Sequence, residues 1–309
     1  MAIFGLSFNS LAPIFLIILA GFACKLLGWV TEAEQPRMNK IGFKIFMPVM
    51  LFNNIYKSEL SLNEDGSLLL FGALALTVVF LLSIAFCLCF IKEKKKRGAM
   101  IQCMIRSNSA IIGLPMVSYL DSSALGVASL LSAVIIPLFN LYSVIALEVF
   151  SGQRIRLKQV LINIIKNPLI IASILSVTCL LTGLKLPGFL EKGIDSFGAI
   201  ASPYMLFMLG VFFTPKFRFD RHLAIALIGR LVAVPGVVLA AAAMLGFKNG
   251  GFVSLLAIFA GPPAVASFTM AQQLGGDAEL AGNSVVMGSA FSFVTIFIWI
   301  SLFKGLGII

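Results

Sequence analysis

Apolar residues run through this sequence in long stretches, separated by short polar clusters. A helix needs about 20 apolar residues, commonly 17 to 25, to cross a bilayer. Ten stretches have that length: 8–28, 38–56, 67–91, 98–120, 124–149, 161–183, 194–214, 222–246, 251–274 and 280–303. The pattern predicts an all-α membrane protein of ten transmembrane helices. Two stretches differ from the rest. The fourth is interrupted by Arg106-Ser107-Asn108-Ser109 and runs on to Gly113-Leu114-Pro115, and the ninth is interrupted by Gly261-Pro262-Pro263-Ala264. Hydrocarbon offers no hydrogen-bond partner, so a spanning helix is broken at mid-depth only where the freed backbone groups are buried in protein or face a cavity. The two interruptions are therefore read as the halves of one transport site.

The chain also repeats itself. Pro48-Val49-Met50-Leu51-Phe52 in the second stretch recurs 155 residues later as Pro203-Tyr204-Met205-Leu206-Phe207 in the seventh. The same offset takes Pro13 to Pro168, Cys24 to Cys179 and Gly28 to Gly183. Five spans are an odd number, so a second set of five crosses in the opposite direction. That is the inverted-topology repeat of many secondary transporters, here in units 1–150 and 151–309. Pro115 first suggests itself as the breaker of the fourth span. The offset instead maps Pro262 onto Ser107 and Pro263 onto Asn108, which moves the break to Ser107–Ser109. Pro115 becomes a secondary kink about two turns further on, and Pro48 and Pro203 are read as matching structural breaks.

Composition narrows the class. The chain is 60% hydrophobic and 12% charged, with a mean hydropathy of +1.04. A soluble domain carries about 25% charge, so lipid is the solvent this chain requires. Its net charge of +10 sits in short loops: Lys92 to Arg97; Arg154, Arg156 and Lys158; Lys216, Arg218 and Arg221; and Arg37 with Lys40. These fall on one side of a ten-span arrangement, opposite Glu59, Glu64, Asp65, Asp121 and Glu191. The positive-inside rule makes the basic side cytoplasmic and places both termini outside; Asp277 and Glu279, on the inside, are the one poor fit. Topology accounts for the basic residues, so no nucleic-acid partner is expected.

No basic residue precedes Lys25, so the first stretch reads as a retained span and not a cleaved signal peptide. Cys24, Cys87, Cys89, Cys103 and Cys179 lie in apolar runs without metal-ligand spacing, and His222 is the sole histidine. No metal site or resident cofactor is expected. No nucleophile–base pair is visible, and enzyme activity is not expected.

A helix broken at mid-membrane exposes two ends. The second halves of spans four and nine begin near Asn108 and Ser109 and near Pro263. Asparagine and serine favour the N-cap and proline the first helical position. Their free N–H groups suit a carboxylate, while the carbonyl ends of the first halves suit a cation: sodium, a protonated group or an arginine. The substrate-site candidates are Arg106, Ser107, Asn108, Ser109, Gly113, Pro262, Pro263, Ala264 and Ser267. Arg106 either serves the site, as carbonyl cap or carboxylate partner, or snorkels to the surface, and Arg230 shares that ambiguity. Gln272, with Gln273, either coordinates an ion or approaches the cytoplasmic surface. Asn54, with Asn53, is a further ion-coupling candidate near the outer interface. Glu148 sits where solvation explains it. Gly113 and Gly261 either pack helices closely or expose backbone to substrate.

At these residues the chain resembles the auxin efflux carrier family, within the group that also holds the bile acid/sodium symporters. Asn108-Ser109-Ala110-Ile111-Ile112-Gly113-Leu114-Pro115 is similar to the family's fourth-span motif, and Pro262 to Ala271 with Val285 to Gly288 is similar to its ninth and tenth spans. The resemblance implies a scaffold of residues 1–60 with 160–216, often forming a homodimer, and a mobile core of 65–150 with 220–305. It further implies elevator-type movement of an organic anion, malonate or malate among those of bacterial members, across the bacterial inner membrane. Plant auxin exporters carry a proline where this chain has Ser107, and a long cytoplasmic loop in place of Ser151–Lys158. The expected activity is secondary transport of a small mono- or dicarboxylate, with Na+ or H+ as the possible coupling ion. The rivals are a sodium-coupled symporter of the bile acid type and, from another class, a channel or membrane sensor.

Overall fold

In the computed structural model, which describes residues 2–31, 33–57, 62–152, 157–212 and 220–309, the regular elements are all helical, and no strand occurs among the described residues. In chain order they are α1 (Ala2–Leu26), α2 (Gln35–Ile41), α3 (Met47–Tyr56), α4 (Leu62–Phe90), α5 (Lys94–Ile105), α6 (Leu114–Leu120), α7 (Leu125–Val149), α8 (Leu157–Ile165), α9 (Pro168–Thr182), α10 (Gly188–Phe212), α11 (Arg221–Ile228), α12 (Val234–Met244), α13 (Asn249–Phe259), α14 (Ala266–Gln273) and α15 (Ala278–Gly305). Glu59, Arg154, Arg156, Lys216 and Arg218 lie outside the described residues, as do the side chains of Glu64 and Asp65.

Among the described residues, five stretches are long and apolar enough to cross a membrane: Gly66–Phe90, Ser122–Val149, Gly188–Phe212, Arg221–Met244 and Ala278–Gly305. Shorter apolar helices lie at Phe15–Leu26, Ile111–Leu120, Pro168–Thr182 and Asn249–Phe259. The outer face of α4 shows why the composition is so apolar. Leu70, Leu74, Val78, Leu81 and Leu82 recur at helical spacing and are all exposed, a patch that water would not tolerate and lipid covers. The chain is an integral, multi-pass membrane protein.

Prolines shape three of the helical runs in one way. Pro48, Pro115 and Pro235 each stand at the second residue of an α-helix, directly after a five-residue π-helical turn: Gly42–Phe46, Ser109–Gly113 and Gly229–Ala233. Proline has no N–H and crowds the carbonyl four residues back, and a wider turn relieves both problems. Pro48 therefore modulates a continuing helix. Pro203 differs from the sequence expectation, since α10 continues through it as it does through Gly188–Phe212 entire. The sixth apolar stretch is divided into α8 and α9, because the Asn167 side chain accepts the Leu169 N–H at 2.9 Å and Pro168 opens the new helix.

Small residues set the closest helix approaches. α1 packs on α10 with Gly21 against the Phe207 carbonyl and Gly210 against the Ile18 carbonyl, so that a Cβ at either glycine would strike backbone. α3 packs between α9 and α10, while α5 is flanked by α4, α7, α11 and α15, and α13 by α7 and α12. At one end of the molecule Asp277 N–H donates to the Lys95 carbonyl (3.2 Å), and Asn163 donates to Glu148 (2.8 Å). At the other end Lys57 pairs with Asp195, and the Tyr56 hydroxyl donates to Glu191 at 2.6 Å.

Candidate functional site

The two interruptions meet. α5 ends at Ile105, after which Arg106 turns extended (φ −90°, ψ 119°) and Asn108 leaves helical geometry (φ −85°, ψ 55°). α13 ends at Phe259, and α14 does not begin until Ala266. Between them Ser107 and Pro263 form an isolated antiparallel bridge. Asn108 N–H donates to the Pro262 carbonyl (2.8 Å), and Ala264 N–H donates to the Arg106 carbonyl (3.3 Å). Every residue of this crossing is buried. The bridge satisfies backbone groups that would otherwise be orphaned far from water, which is the condition for breaking a helix there. It also corrects one expectation: Pro263 is not the first residue of the second half-helix, because the bridge holds it extended and helical geometry resumes three residues later.

Asn108 stands at the N-cap position, but its side chain caps nothing. Its Nδ2 is buried and without a partner among the described residues, and Asn108 lines a cavity of about 70 Å³. Arg106, Ser107, Ser109, Asn54, Asn140, Ser202 and Ala264 share the cavity, with Met47, Met50, Leu51, Phe139 and Met205 among its apolar walls. Arg106 is 7% exposed, so it does not snorkel. Its Nη1 donates to Asn140 Oδ1 (2.7 Å) and to Met270 Sδ (2.9 Å), and Asn140 Nδ2 in turn donates to the Ile136 carbonyl (2.9 Å). No aspartate or glutamate is among the described residues lining the cavity. A guanidinium held by neutral acceptors, beside an idle amide donor, leaves the cavity positive and short of an acceptor. A crevice lined by Asn53, Lys57, Leu114, Ser129 and Ser132 shares Asn54 and Ile136 with it and leads towards the Lys57–Asp195 end.

Several sequence candidates sit elsewhere. A Cβ on Gly113 would lie 2.7 Å from the Ala257 carbonyl, so this glycine lets helices pack and does not face the cavity. Gly261 likewise gives way to the Ser107 hydroxyl, 2.6 Å from where its Cβ would be. Pro263 packs on Gly288, and Pro262 and the buried Ser267 are not part of the cavity lining. Gln272 is half-buried and does not stand free. It accepts from Asn39 Nδ2 and donates to Gln35 Oε1 (2.7 Å), while Thr269 donates to Asn39 Oδ1 (3.0 Å), so α14 is fastened to α2 by side-chain amides. Gln273 donates to the Pro36 carbonyl at 3.4 Å. Arg230 is fully buried, and its hydrogen bonds among the described residues go to main-chain carbonyls around the crossing.

Sequence reasoning missed Asn140, although a lone asparagine inside the apolar run 124–149 is the kind of intramembrane polar residue that signals a site. It also missed the methionine wall, which leaves no signal among so many apolar residues.

A family model described as membrane transport protein matches residues 6–300. The chain belongs to that family, the auxin efflux carriers. It is 24% identical over 297 residues, covering 93% of this chain and 95% of the relative, to a protein of Methanocaldococcus jannaschii named uncharacterized transporter MJ1031. This auxin efflux carrier family member is thus a membrane transporter, and its relatives are transporters and not enzymes. The name fits the geometry above: two helices broken against each other at a polar, buried cavity.

Proposed function

We propose that the protein is a secondary active transporter of a small organic acid anion, and that the anion's carboxylate is held by Arg106 and Asn108. The observation that carries this reading is the pairing of a buried, carboxylate-free guanidinium with an unpartnered amide donor on one cavity. Asn54, Asn140 and Ser109 complete a polar rim, and the apolar walls suit the body of a mono- or dicarboxylate such as malonate or malate. A hydrogen bond to a charged group contributes about 1.5–3 kcal/mol, roughly ten- to a hundredfold in affinity per contact.

The ten-span inverted repeat belongs to this proposal. Its support is the register of the helices: α5 starts at Lys94 and α13 at Asn249, the same 155 residues apart as the sequence repeat. The bridge at Ser107 and Pro263 then falls on the axis relating the halves. In the proposed mechanism α1–α3 and α8–α10 are the scaffold, pairing as a homodimer, and the crossing with α4–α7 and α11–α15 carries the anion past it as an elevator. The basic end is cytoplasmic, both termini lie outside, and the membrane is the bacterial inner membrane.

Uptake of radiolabelled mono- and dicarboxylates into proteoliposomes tests the reading. Saturable exchange is expected, and Arg106→Gln should weaken it by about tenfold or more. Unitary conductance without saturation, or transport that Arg106→Gln and Asn108→Ala leave unchanged, would refute it.

A further inference from the structure

Arg230 enters the crossing from the π-helical turn Gly229–Ala233, behind the cavity, and is not among the residues that line it. Its Nε donates to the Gly261 carbonyl (2.8 Å), Nη1 to those of Met104 (3.2 Å) and Ile105 (3.3 Å), and Nη2 to that of Ile258 (3.0 Å). Met104 and Ile105 close α5, while Ile258 and Gly261 flank the end of α13. One side chain thus reaches the carbonyl ends of both broken helices. No ion pair of Arg230 with a carboxylate occurs among the described residues.

The charges balance. A helix C-terminus carries about −0.5 of an elementary charge, and two such ends together make about −1. One permanently charged guanidinium offsets that sum, and its planar fork supplies a donor for each carbonyl. Half-helix carbonyl ends in a membrane otherwise recruit a mobile cation. We infer that Arg230 is a built-in cation at the crossing. It takes the place a coupling sodium would need there, so the transporter works and holds its fold without sodium. Arg230 is a positioning residue, since it holds the carbonyl ends of the two half-helices, that of α5 directly before Arg106 and Asn108 in the chain, and does not touch the cavity. The transport half of this inference rests on the proposed anion activity; the structural half does not.

The test uses the full-length protein, purified and in proteoliposomes, in sodium chloride and in choline chloride at equal ionic strength. Wild-type thermal unfolding and anion uptake should be the same in both. Arg230→Ala should unfold at a lower temperature and lose uptake. Guanidinium chloride at low millimolar concentration should restore part of both, because a free guanidinium refits the vacated carbonyls, whereas choline should restore neither. A purely packing role for the side chain would give no such rescue. Arg230→Lys should fall in between, as an ammonium cannot span all four acceptors.

A wild-type unfolding temperature or uptake that rises specifically with sodium overturns the inference, as does Arg230→Ala protein that matches wild type or that folds but ignores guanidinium. If Arg230→Ala cannot be purified, the sodium comparison on wild type decides alone. Absence of any carboxylate uptake, with unfolding still indifferent to sodium, would sink the anion reading and leave the built-in cation standing.

Discussion

Asn108 separates two roles that usually coincide, capping a helix and binding a ligand. Its main chain is committed to the Pro262 carbonyl and its carbonyl accepts the Ile112 N–H at 3.1 Å, yet its side-chain amide donor is idle. Asn108→Ala should therefore cut anion uptake by about tenfold while the unfolding temperature of the empty protein barely moves, as a paired transport and thermal-shift measurement would show. Asn108→Asp should behave differently: a carboxylate beside Arg106 supplies the missing anion internally, so uptake is abolished while the empty protein becomes more heat-stable. A destabilised Asn108→Asp protein would count against Arg106 facing the same cavity wall. At this scale the sequence was readable where a polar residue stood out from apolar neighbours, as Arg106 and Asn108 do. It was not readable for Arg230, because its partners are main-chain carbonyls up to 126 residues away, and every residue type carries a carbonyl.

Helices meet here on backbone, and substitutions that thicken the meeting points should be costly. Gly113→Val would drive a branched side chain into the Ala257 carbonyl of α13, a contact backbone cannot yield easily. Overpacking of this kind costs about 1–3 kcal/mol, to be seen as a lower unfolding temperature, whereas the same change at Gly126, which meets nothing, should be neutral. The amide cluster joining α2 to α14 makes a different prediction. In the proposed elevator these helices belong to opposite parts, so the bonds among Gln35, Asn39, Thr269 and Gln272 must part during transport. Gln272→Leu should favour the parted state and expose a cysteine placed at the fully buried Thr269 to a membrane-impermeant maleimide added from the basic side. Unchanged protection would argue that the two helices move together.

Apolar stretches forecast where helices lie, since lipid leaves little alternative. They do not forecast how a proline is absorbed. Pro48, Pro115 and Pro235 follow wide turns, Pro203 passes inside a helix, and Pro263 sits in a bridge, and the neighbours that decide between these outcomes come from distant sequence.

Across the whole molecule, Lys95 and Asp277 join at one end, and the cavity's crevice leads towards the other, where Lys57 and Asp195 pair. The proposed orientation makes the first end cytoplasmic. In a variant with its native cysteines replaced, a cysteine at Lys94 should be labelled only from the cytoplasm and one at Lys185 only from outside; the reverse result would invert the topology. Charge distribution and the 155-residue offset are the sequence features on which this proposed plan rests. The distance between Arg106 and Asn140, or the shape of the methionine wall, depends on how helices rotate against one another, and no count of residues records that rotation.

The bridge between Ser107 and Pro263 has a consequence for how such a protein changes over generations. The crossing is fastened by main-chain bonds, so its geometry survives many replacements of the side chains around it. Met47, Met50, Asn54, Ser202 and Met205, by contrast, line the cavity from α3 and α10 and hold no part of that fastening. If the proposed anion site is right, a lineage can alter those five positions one at a time, and so acquire a taste for a different acid, without having to reinvent the joint beside it.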